Sequence, residues 1–95
     1  SNMSTELETK IFAIVATIAE VDGGKIAAET ALIGEGSLID SMKLVEICLA
    51  LEDLSSDHGF DFDWTSESAM SRSRSMFRTV GSLVAEFVAQ MGAAK

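Results

Sequence analysis

The chain has 95 residues, 47% of them hydrophobic, with no proline and no tyrosine, which suits one helical domain with its own core and leaves no room for a second. A formal net charge of -8 argues against nucleic-acid binding, because neutralising phosphates takes clustered Lys and Arg. No apolar run reaches the length of a membrane span, and one cysteine, Cys48, cannot close an internal disulfide, so a cytoplasmic monomer is expected.

Ser1-Asn2 ahead of Met3 reads as a tag scar and a start methionine, leaving a domain over 4–91 and a short tail over 92–95. From Ser4 to about Val21, Leu7, Ile11, Val15 and Ile18 recur at helical spacing, with Thr5 and Glu8 as a capping box and Asp22-Gly23-Gly24 as the stop. Residues 23 to 40 then carry Ile26, Leu32, Ile33, Leu38 and Ile39 without helical period, which predicts a long ordered loop packed on the core. A second helix is expected from Ser41 to about Ser55, with Met42, Val45, Leu49, Ile47, Leu51 and Leu54 on one broad apolar face. Residues 55 to 78 are Ser-rich. There Phe60, Phe62 and Trp64 are expected to anchor a loop, and a short third helix is placed within 66 to 75. Thr79 caps the last helix, whose Val80, Leu83, Val84, Phe87, Val88 and Met91 run until Gly92 ends it. The sum is an all-α fold, a small four-helix bundle of three main helices and a short third, with a long loop between the first two.

Residues for catalysis in place are scarce. The only histidine, His58, lies in a polar loop, and Gly36-Ser37 is followed by Leu38-Ile39-Asp40 instead of completing a Gly-x-Ser-x-Gly elbow. Asp61-Phe62-Asp63 fails as a calcium loop because Ser66 stands where Gly is needed and Arg72 where Glu is needed. Cys48 and His58 make no recognised zinc set, and Cys48 reads as a small apolar residue of the second helix. The Ser-Arg-Ser-Arg-Ser run at 71–75 offers a phosphorylation site or an anion-binding strip, but such a run is more often simply a solvated loop or helix face. Charge is uneven: residues 1 to 70 carry a net of -11, with 14 acids against Lys10, Lys25 and Lys43, while 71 to 95 carry +3. A basic partner is therefore expected.

The segment Glu35 to Asp53, with Asp40-Ser41-Met42 ahead of Val45, Glu46, Ile47, Leu51, Glu52 and Asp53, resembles the acyl carrier protein family. Gly59-Phe60-Asp61-Phe62 and Thr79-Val80-Gly81-Ser82-Leu83 extend the likeness over most of the chain. The resemblance implies that Ser41, preceded by the motif's Asp40, accepts 4'-phosphopantetheine from a coenzyme A-dependent phosphopantetheinyl transferase. It implies no enzyme, but a shuttle that holds acyl groups as thioesters for acyl-loading and acyl-processing enzymes of fatty-acid, polyketide or related lipid synthesis. Basic patches on those partners are implied to dock on Met42, Glu46, Glu52 and Asp53.

The form Glu35-Gly36-Ser37-Leu38-Ile39-Asp40-Ser41 is closer to carriers of specialised pathways, including D-alanyl carriers, so an aminoacyl carrier is the runner-up. A small acidic adaptor without covalent modification is the rival from another class. Lys43 weakens the acidic patch, and the segment holding Trp64 is longer than the family's usual connection. Ser37 is the alternative acceptor. Leu44, Ile47, Leu51, Leu83 and Phe87 would line a shelter for an acyl chain, or simply pack as core.

Overall fold

A computed structural model describes residues 3 to 94, with side chains from residue 4. The expected scar at Ser1-Asn2 lies outside the described residues. Within them the chain is all-α and no strand is formed. The order is α1 (Met3–Ala19), a 3-10 turn (Gly23–Lys25), α2 (Ser41–Asp57), α3 (Glu67–Ser71), α4 (Ser73–Met76) and α5 (Val80–Ala93). Helix α1 packs against both α2 and α5.

Helix α1 buries Leu7, Ile11 and Val15, one residue per turn, as the spacing predicts. Its start differs from expectation: Thr5 already lies inside the helix, which begins by Met3. Its end differs too. Glu20, not a glycine, takes the left-handed conformation at φ 61, and the N–H groups of Glu20 and Val21 bond back to the carbonyls of Thr17 and Ala16. That is the Schellman arrangement. Asp22 instead caps the 3-10 turn, accepting from the Gly24 N–H at 3.2 Å. A side chain at positive φ is strained by roughly 1 to 2 kcal/mol. The two backbone bonds offset that strain, and Lys43 adds to them, its Nζ donating to the Glu20 carboxylate and to the Ile18 carbonyl, both at 2.8 Å.

Residues 20 to 40 are held by α5. Thr30 O accepts from the Val80 N–H at 2.9 Å, Ala28 O from Gly81 at 2.8 Å, and Leu32 donates to Arg78 O at 3.1 Å. These bonds satisfy the first N–H groups of α5, which a helix leaves unpaired, and bury Ile26, Leu32 and Ile39. The close approach favours Gly81, because an added Cβ would lie 3.0 Å from the Ala28 oxygen and push the two backbones apart by a few tenths of an ångström. Thr79 caps α5 as expected, in a reciprocal box with Ser82. Gly92 does not end this helix, which runs on to Ala93, so the expected tail at 92 begins inside it.

The expected single short third helix is two, α3 and α4, broken at Arg72 (φ -102, ψ 1), whose N–H bonds the Ala69 and Met70 carbonyls. At the break the Arg72 side chain reaches across to Glu86 of α5 at 2.9 Å while also donating to Ser68 O and Oγ. The aromatic anchors behave as expected. Phe60 meets Phe87 edge-on at 5.1 Å and Phe62 stacks on it at 5.6 Å. Helix α2 ends in a second Schellman arrangement, this time with Gly59 at φ 81 and Phe60 N–H bonded to Ser55 O. His58 is not a freely solvated loop residue but the half-buried cap of that helix end.

Candidate functional site

Ser41 is the first residue of α2, and the capping is done by its neighbour. Asp40 is extended (φ -98, ψ -179), and its Oδ1 accepts from the Lys43 N–H at 2.9 Å. A cap of this kind satisfies one of the N–H groups that open a helix. Because Asp40 fills the role, the Ser41 hydroxyl is exposed and has no hydrogen-bond partner among the described residues. Ser37 is the opposite case: half-buried, with its hydroxyl donating to Ile39 O at 3.0 Å. A cleft of about 200 Å³ opens beside Ser41, lined by Leu32, Ile33, Ile39 and Leu44 with Gly34, Ser37 and Asp40.

The apolar residues of α2 form two faces, not the single broad one expected. Ile47, Cys48, Leu51 and Leu54 are buried, whereas Met42, Val45 and Leu49 are 71%, 40% and 50% exposed. Both sets recur every three or four residues, so period alone assigns them to one stripe. At 100° per residue, Met42, Val45 and Leu49 share the outer surface. Glu46 and Asp53 border them on one side and Glu52 on the other, all exposed. Leu38, just before the helix, is also exposed, at 46%. The structure thus brings Ser41, Met42, Glu46, Glu52 and Asp53 onto one side of α2, and adds Val45, Leu49 and Leu38, which the sequence pattern did not single out.

Lys43 does not weaken this acidic surface as expected, because its ammonium is turned to the end of α1. The Glu20 hydrogen bond holds Lys43 above the usual lysine range, and the same bond, helped by the Lys43 charge, holds the Glu20 carboxyl low. Glu52 has a different partner: the Trp64 indole N–H donates to its Oε2 at 2.6 Å. No sequence signal pairs these two, which are 12 residues apart across the end of α2.

Cys48 lies on the inner face, fully buried, and burial assisted by the Glu52 charge pushes its thiol up to about 12. A thiol so shifted is not a nucleophile at neutral pH. Asp61-Phe62-Asp63 serves packing. Phe62 is buried, and Asp63 accepts from the N–H groups of Thr65 and Ser66 and the Ser66 hydroxyl; these bonds, the hydroxyl first, hold its carboxyl low. Among the described residues no group of three or more His, Cys, Asp or Glu is placed to hold a metal ion, and no helix is long and apolar enough to cross a membrane. No protein-family model, curated protein or solved structure matches this chain.

Proposed function

We propose that this protein is an acyl carrier, modified at Ser41 by 4'-phosphopantetheine and read by partner enzymes through the outer face of α2. The observation that carries the reading is the exposed, unpartnered Ser41 hydroxyl at the start of a 17-residue helix whose cap is supplied by Asp40. A phosphodiester on that oxygen would meet the positive end of the helix dipole and need displace no existing bond. When attached, the arm supplies a terminal thiol on which an acyl group is held as a thioester. The chain's own residues present that arm: Met42, Val45 and Leu49 offer apolar area, while Glu46, Glu52 and Asp53 steer a basic partner. In this reading the domain is a four-helix bundle of the carrier type, with α3 and α4 together in place of the short third helix, and it works as a cytoplasmic monomer that is not itself an enzyme.

The cleft beside Ser41 supports shelter for the first part of an acyl or aminoacyl group, with Leu44 at its wall. Ile47, Leu51, Leu83 and Phe87 are fully buried and pack as core, so a longer chain would have to part them. The exposed apolar stripe equally favours a second reading, an acidic adaptor with no covalent arm. Incubation with coenzyme A and a broad-specificity phosphopantetheinyl transferase, followed by mass spectrometry, separates the two. The wild type and Ser37→Ala are expected to gain the arm and Ser41→Ala to stay unmodified. An unmodified wild type, or gain that persists in Ser41→Ala, overturns the carrier reading.

A further inference from the structure

Three glutamates from different parts of the fold are held in different ways. Glu20, Glu52 and Glu86 each accept a side-chain hydrogen bond, and at Glu20 and Glu86 a donor is a cation, Lys43 or Arg72. At Glu52 the donor is the neutral Trp64 indole. A cation fixes a carboxylate and cancels its charge; an indole N–H fixes it and leaves the charge intact.

The indole is itself held. On one side of it Phe62 is buried, its N–H bonded to the Ser55 hydroxyl at 2.9 Å. Next to it, Asp63 exchanges two bonds with the Gln90 side chain on α5, at 2.7 and 2.8 Å. Trp64 is half-buried against the core, so its N–H reaches Glu52 from an anchored backbone.

We propose that Trp64 is a positioning residue of the docking face, holding the Glu52 carboxylate oriented and, among the described residues, unpaired with any cation, for an arginine or lysine of the partner. The inference rests on the carrier reading. A free glutamate loses rotamer freedom when a partner binds; one already held by Trp64 has lost it beforehand, which strengthens docking without adding a contact.

The test is arm transfer from coenzyme A by the phosphopantetheinyl transferase, with the protein as varied substrate. Trp64→Phe keeps a ring but removes the N–H. It is expected to raise KM about three- to tenfold with kcat unchanged, the effect shrinking at high salt. In a Glu52→Ala background the same substitution is expected to change nothing further. A merely structural role for Trp64 would persist in that background. An unchanged KM in Trp64→Phe, or an equal loss with and without Glu52, overturns the proposal while leaving Ser41 as acceptor. A wild type that takes no arm overturns the carrier reading and this inference together. Trp64 is the only tryptophan, so the ¹⁵N-labelled wild type gives one indole resonance independent of any variant's folding. Titration with unlabelled transferase is expected to shift it, and an unmoved resonance at saturation counts against the proposal.

Discussion

The two ends of α2 are built to opposite rules. At its C-terminal end Phe60 and Phe62 close on Phe87, and the buried Ser55 hydroxyl donates to Glu52 O and accepts from the Phe62 N–H. Its N-terminal end presents Met42, Leu38 and the Ser41 hydroxyl to solvent. Apolar area that stays in water on folding gains nothing from burial, so Met42 and Leu38 contribute little to holding this end of the helix. The difference teaches that the packing contacts of α2 are concentrated at its far end, while the Ser41 end stays exposed, as the proposed carrier role requires.

Substitutions can break that contrast. The largest effect is expected from Phe87→Ala, which removes the ring shared by Phe60 and Phe62 and should destabilise by about 3 to 5 kcal/mol in chemical denaturation. Ser55→Ala leaves the buried Phe62 N–H without its acceptor, so a loss of about 1 to 3 kcal/mol is expected in the same measurement. At the open end Asp40→Ala removes only an exposed cap, with an expected cost of about 1 kcal/mol. Should Asp40→Ala prove as damaging as Phe87→Ala, the contrast between the two ends is wrong.

The smallest effect sharpens the contrast through pH. Lys43 is raised on folding, so its contribution is present below the unfolded lysine value of 10.5 and is lost as pH rises through the folded one. Glu20 is lowered, so its contribution is present above 4.5 and is lost as pH falls through its folded value. The pair therefore stabilises between these limits and fades outside both. Both groups are exposed, which makes the effect small and salt-sensitive. Denaturation across pH should show shallower shoulders at both limits in Lys43→Met than in the wild type.

Much of the helical layout was legible because it rests on local chemistry. The Thr79 cap and the one-per-turn burial of Leu7, Ile11 and Val15 follow from residue type and spacing. The end of α1 was not legible: Glu20, not Gly23, takes the left-handed position, and the Lys43 that bonds its carboxylate lies 23 residues away. The break at Arg72 was likewise not legible, and the Glu86 that its side chain meets lies 14 residues on. At the site, Asp40-Ser41 could be placed at the start of a helix from the sequence, whereas the division of labour between them needed the cap geometry.

The sequence by itself determined an all-helical acidic chain and the positions of its principal helices, because periodicity, caps and charge are properties of neighbouring residues, whereas Ser41 was singled out only by the resemblance of its segment to acyl carrier proteins. Only the tertiary structure decided which of the two apolar stripes of α2 goes inside, that Lys43 is withdrawn from the acidic face and that Trp64 holds Glu52. Each of these is settled by a group distant in the chain, on α1, α5 or the segment after α2, and a one-dimensional pattern carries no record of such partners.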